Sequence, residues 1–173
     1  SSYQSYRNLI KKKVDAILVF HALTGDQFVS WVKPVTKKDG WLSYAVGPGK
    51  AINTEKYFVI CCNVMGGCMG SYGPSDIDPN TNKIFGTNFP VITINDMVNA
   101  QNNFLEFFEI NQLFCVTGGS MGGMQVLQFI NNFPDKAKIA IPIACTASHS
   151  AQNIAFNALG RQSIMADANW VNG

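Results

Sequence analysis

One hydroxyl set among paired glycines, Gly118-Gly119-Ser120-Met121-Gly122-Gly123, has the clearest chemical use in this sequence. An apolar, β-rich run leads into it and an apolar run with helical spacing leads out. Glycine weakens strands and helices alike, so its density here needs a reason. Gly-x-Ser-x-Gly between a strand and a helix is the nucleophile elbow. The serine sits on a sharp turn that pushes its hydroxyl above the carboxyl edge of a sheet. The residues two before and two after must be small, because strand and helix backbones converge there. The turn predicts a strained Ser120 with positive φ. A glycine-rich turn at a helix N-terminus also suits phosphate. A P-loop is excluded, since no Gly-Lys-Ser/Thr follows.

A serine that attacks an acyl carbonyl needs two donors for the oxyanion. One is the backbone N–H after the nucleophile, at Met121. The other comes from the loop after an earlier strand. "FHALTGDQ" (20–27) supplies such a loop, and Leu23 is the expected second donor. His21 reads as a strand-end histidine in a polar network. Asp26 reads equally as a loop cap or as support for the oxyanion loop. The serine also needs a base. His149 is the one histidine after Ser120, and it lies directly past the next strand run, too early for a catalytic base. Asp135, in a helix-to-strand turn, and Asp167, near the end, are poor candidates for a triad acid. The nucleophile and oxyanion hole therefore stand without their partners, and the sequence reads as a fragment that begins after the first strands and stops before the last.

Four runs should position this chemistry: 16–21, 57–63, 113–118 and 138–145. Each is almost continuously apolar, as strands buried on both faces of a parallel sheet are. Helices are expected at 93–109 and 121–132. The first carries a capping-box spacing at Thr93 and Asp96 and a stripe of Met97, Ala100, Phe104 and Phe108. The second carries a stripe of Val126, Ile130 and Phe133. Strand, helix, strand, helix, strand is an α/β pattern. The segments 22–56 and 64–91 are rich in Gly, Pro, Asn and Asp. Their aromatics and glycines suggest ordered, site-forming loops rather than linkers.

The 173 residues suffice for one domain with a core. The net charge of +2 gives no electrostatic case for nucleic acid or an anionic membrane. No apolar run reaches the roughly 18 residues of a membrane span, and the first residues have no signal-peptide apolar region. Five cysteines without regular spacing argue against a disulfide framework or a zinc site, and for a reduced, cytoplasmic protein. Cys68 is expected to pack rather than react.

Longer blocks carry a resemblance. "HALTGD" (21–26), "VGPGKAINTEKYFVICCNVMGGCMGS" (46–71), "GTNFPVITINDMV" (86–98), "GGSMGGMQ" (118–125) and "SAQNIAFNALGRQSIMADANW" (150–170) together resemble the homoserine O-acetyltransferase family of the α/β-hydrolase superfamily. The resemblance runs collinearly over essentially the whole chain. It implies an α/β-hydrolase fold, here a partial, mostly parallel sheet with flanking helices. Residues 1–155 would form the partial core, and 156–173 the start of a cap. It implies acetyl transfer from acetyl-CoA to L-homoserine through an acyl-serine, early in methionine synthesis, with Ser120 as nucleophile and Leu23 and Met121 at the oxyanion positions. No metal or cofactor is implied beyond acetyl-CoA as co-substrate, and the full-length protein is expected to be a homodimer. The family's catalytic Asp and His fall beyond residue 173, and their roles do not pass to Arg161 or Asp167. Succinyl transfer, serine as acceptor, an esterase on the same fold, and a scaffold that has lost its triad are the competing readings.

Overall fold

The computed structural model describes residues 3–6 and 15–171. Its strands are β1 (Tyr3–Tyr6), β2 (Ala16–Phe20), β3 (Val46–Gly47), β4 (Ile52–Asn53), β5 (Phe58–Cys62), β6 (Ile77–Asp78), β7 (Lys83–Ile84), β8 (Leu113–Gly119) and β9 (Ala137–Ile143). Its α-helices are α1 (Ile94–Phe107), α2 (Met121–Asn132) and α3 (Ala151–Met165). The main sheet runs β1-β5-β2-β8-β9. The four strands read from apolar runs pair in parallel, as expected. The outer β1 pairs antiparallel with β5, Tyr3 opposite Cys62. No sequence signal marked it.

Burial on both faces explains the unbroken apolar runs. Ala16, Leu18 and Phe20 join the core under the helices, with Ile60, Val98, Leu105, Val116, Val126 and Phe129. Ile17 and Val19 face the other way, with Val29, Val46, Val59, Cys61 and Cys115. That second face is covered by the segment that carries β3 and β4. The loop-rich segments are thus ordered. Trp41 Nε1 donates to the Asp26 carbonyl at 2.8 Å, and Gln27 Nε2 donates to the Met69 carbonyl at 2.9 Å.

Helix α1 starts at the capping box read from sequence. Thr93 Oγ1 accepts from the Asp96 N–H at 3.2 Å, and Asp96 Oδ2 accepts from the Thr93 N–H at 2.8 Å. Its buried face differs from the expected stripe: Val98, Gln101, Asn102 and Leu105 are buried, whereas Phe104 and Phe108 only flank the core. Two polar residues in the buried face hid its phase. In α2 the buried set is Gly122, Gly123, Gln125, Val126 and Phe129. Ile130 and Phe133 are partly buried against the same core.

Strand β9 and helix α3 are among the regions that leave apolar surface uncovered. Ile139, Ile141 and Ile143 of β9 are 42–53% exposed. Helix α3 has no buried residue and exposes Ile154, Phe156, Leu159 and Ile164. The boundary expected between residues 155 and 156 falls inside this helix. No helix among the described residues is long and apolar enough to cross a membrane.

Candidate active site

Strand order fixes where a site can form. From β2 the chain moves outward to β5; it then returns past β2 to β8 and continues to β9 on the far side. The connections after β2 and β8 therefore diverge. The carboxyl ends of these two strands are thus the topological switch point, where ligands bind in open α/β sheets. The segment read as the oxyanion loop, 21–26, and the elbow, 118–123, follow those two strands.

Ser120 joins β8 to α2 with φ 56° and ψ −121°, a conformation that costs a non-glycine residue about 1–3 kcal/mol. Three contacts hold it there. Its N–H donates to the Ile143 carbonyl at 3.0 Å. A Cβ on Gly118 would lie 2.7 Å from the Gly122 and Phe20 carbonyl oxygens. One on Gly122 would lie 2.1 Å from the Phe20 oxygen. The glycines two before and two after the serine are thus required by backbone contact, as the spacing implied. The Ser120 side is exposed.

The expected donors are available. Neither the Leu23 nor the Met121 backbone N–H has a protein acceptor among the described residues. Met121 opens α2, so its amide also carries the partial positive charge of a helix N-terminus. Leu23 lies in a turn closed by the Gly25 N–H on the Ala22 carbonyl at 2.9 Å.

His21 is a strut of that turn, as the polar-network reading held. It is buried, and its Nε2 accepts from the Val64 N–H at 3.1 Å. That nitrogen is therefore unprotonated, and Nδ1 is the one that donates to the Ala22 carbonyl at 2.7 Å. Burial lowers its pKa below 6.5, against the opposing effects of the Ala22 hydrogen bond, the Asp26 charge and Asn63. Asp26 fills one of the two roles expected of it, the loop cap, and adds an ion pair. Oδ1 caps the Phe28 N–H at 3.0 Å, and Oδ2 pairs with Lys33 Nζ at 2.7 Å.

His149 is exposed and sits in the loop after β9. It lines an open groove of about 470 Å³ with Ile94, Met124, Leu127, Gln128 and Asn131, along the outer side of α2. Asp135 lies in the turn before β9, and Asp167 lies past α3. Cys68 is exposed, contrary to the packing expected of it; the loop that carries it turns the side chain outward. Cys61, Cys62 and Cys115 are buried, and burial raises each thiol, Cys62 to about 12.

Sequence reasoning missed Gln101 and Gln125. Both are buried, and Gln101 Nε2 donates to Gln125 Oε1 at 2.9 Å. The available signal was position: Gln125 lies three residues after Gly122 and four before Phe129, on the face of α2 that packs.

The model of the alpha/beta hydrolase fold family matches residues 15–169. The chain belongs to that family. Within it, the chain is 76% identical over 172 residues to a homoserine O-acetyltransferase of Pelagibacter ubique (strain HTCC1062), covering 99% of this chain and 46% of that protein. It is 57% identical to one of Nitrobacter hamburgensis, covering 99% and 43%. Among solved α/β hydrolases, esterase E22 (L374D mutant) superposes with TM-score 0.91 at 30% identity, over 99% of this chain and 48% of that one. The homoserine O-acetyltransferase of Bacillus anthracis superposes with TM-score 0.85 at 29% identity, over 97% and 47%. The chain spans a little under half the length of these relatives.

Proposed function

We propose that this chain is the nucleophile-bearing part of a homoserine O-acetyltransferase that takes its acyl group from acetyl-CoA. The observation that carries the reading is the Ser120 elbow, followed by the acceptor-free Met121 amide, in a chain 76% identical to such an enzyme.

The chemistry runs in two balanced halves. Ser120 Oγ attacks the thioester carbonyl, and its proton leaves to a base. The tetrahedral oxyanion is held by the Leu23 and Met121 amides. Collapse breaks the C–S bond, and the thiolate departs with a proton. The homoserine hydroxyl then attacks the acyl-serine, the ester C–O bond breaks, and Ser120 regains its proton. Splitting the transfer this way replaces one hard step with two easier ones. His21 does not supply the base, because both its nitrogens are engaged. We assign that role, and the acid that orients it, to the remainder of the longer protein. Helix α3 begins the cap, with apolar side chains for the rest to cover. The protein is cytoplasmic, needs no metal, and as a whole is a homodimer.

The test is mass spectrometry of the intact full-length protein after incubation with acetyl-CoA and no homoserine. An acetyl adduct on Ser120, lost in Ser120→Ala and discharged by homoserine, is expected. An adduct that persists in the alanine variant, or lies on Cys68, overturns the reading. The superposition on esterase E22 favours a second outcome, in which water discharges the adduct as fast as homoserine does. Water and homoserine compete for one acyl-serine, so their discharge rates decide between transferase and esterase.

A further inference from the structure

Gln125 has no place in the two-step chemistry, yet it occupies the space between the two halves of the oxyanion site. It is fully buried. Its Nε2 donates to the His21 carbonyl at 3.3 Å and lies 3.5 Å from the Met121 carbonyl. Two carbonyls at one end make that end the NH₂, so Oε1 must face Gln101, which donates to it. Gln101 Oε1 is left with no partner, a cost that a core of plain hydrocarbon would avoid. The residues it bridges matter more than the bond count. His21 comes two residues before Leu23, and Met121 is the other expected donor. One carboxamide thus ties the loop after β2 to the first turn of α2. From the opposite side, Val64 holds the His21 ring.

We infer that Gln125 is a positioning residue that sets the separation of the Leu23 and Met121 amides, and that Gln101 orients it. The inference rests on the acyl-serine reading above. An oxyanion hole works only if both donors meet the same oxygen, and each donor is worth roughly 10²–10³-fold in rate. A loop released by a fraction of an ångström loses much of one donor without losing the fold. Substrate recognition in the ground state is untouched, because Gln125 reaches no solvent.

The experiment uses the full-length enzyme and compares wild type, Gln125→Met and Gln101→Met. Methionine keeps the volume and removes the amide. Three quantities are read: the rate constant of Ser120 acetylation per active site, KM for acetyl-CoA, and affinity for an alkyl boronic acid, whose serine adduct carries the oxyanion. Gln125→Met should lower the acetylation rate roughly 10²-fold, with KM within about twofold. Boronate affinity should fall in parallel. Gln101→Met should move both the same way by less. A lowered melting temperature or fraction of active sites, with the per-site rate and boronate affinity unchanged, overturns the inference and leaves Gln125 as core. So does an unchanged rate in a stable Gln125→Met. Failure of wild type to acetylate at Ser120 sinks the underlying reading instead, and is seen before any variant is made.

Discussion

Gly122 meets Phe20 backbone to backbone: a methyl group on Gly122 would stand 2.1 Å from the Phe20 carbonyl oxygen. Helix α2 therefore starts against the end of β2 with no room for a side chain. Gly119 is different, with nothing within 4 Å of its added Cβ. Gly122→Ala in the full-length protein should cost about 3 kcal/mol, since rigid backbone, not a movable side chain, must give way. Gly119→Ala should stay within about 0.5 kcal/mol. Denaturant unfolding of both variants checks the contrast. Equal losses at the two positions would show that the elbow is not held by this contact.

Those two glycines illustrate what the sequence made legible. Spacing alone distinguished the required Gly118 and Gly122. The four central strands were legible because burial on both faces leaves no alternation to disguise. The Thr93–Asp96 cap was legible because its bonds are local. The short antiparallel β1 was not: its pairing with β5 comes from a partner more than fifty positions away. Gln101 and Gln125 were not legible either, since a helical glutamine usually reads as surface and only their meeting at 2.9 Å gives them a role.

Ala144 also has a positive φ, 46°, directly after Ile143, whose carbonyl accepts the Ser120 N–H. Alanine pays there for a conformation that glycine adopts freely. Ala144→Gly should stabilise the protein by about 1 kcal/mol, the left-handed penalty less the added freedom of the unfolded chain. A shift of the unfolding midpoint to lower denaturant would mean that the alanine methyl makes a contact worth more than the strain.

His21 makes stability depend on pH. Its folded pKa lies below 6.5 because burial penalises the cation, and a protonated Nε2 can no longer accept from Val64. Between the two pKa values the unfolded chain binds a proton that the native state does not, so stability falls as pH falls. The contribution is fully present above the unfolded value and fades below it. His21→Gln keeps an acceptor that does not titrate. Melting curves from about pH 7.5 to 5.5 should be flatter in this variant than in wild type. Parallel curves would assign the acid sensitivity elsewhere.

The cysteines divide by burial. Cys61, Cys62 and Cys115 combine burial with raised thiol pKa values, so little thiolate is present to react. Cys68 is exposed and Cys145 is half-buried. Native alkylation with iodoacetamide should label Cys68 first and Cys145 more slowly, with the other three protected until denaturant is added. Rapid native labelling of Cys61 or Cys62 would show that the β5 core opens far more readily than its packing implies.

The 173-residue chain alone should catalyse no acyl transfer. Ser120 needs a base, and the two histidines present are poorly placed to serve. His21 spends both nitrogens on Ala22 and Val64, and His149 faces the groove along the outer side of α2. Losing general acid–base help costs roughly 10²–10⁴-fold, and more where nucleophile and base act as a unit. Helix α3 and the isoleucines of β9 also expose apolar surface, and an open apolar sheet edge invites pairing with another copy. The isolated chain should therefore elute as larger species in size-exclusion chromatography and give no O-acetylhomoserine. The full-length protein should give product that is lost in Ser120→Ala. A monomeric isolated chain that turns over acetyl-CoA would place the base within these residues and refute the assignment of catalytic partners to the remainder of the protein.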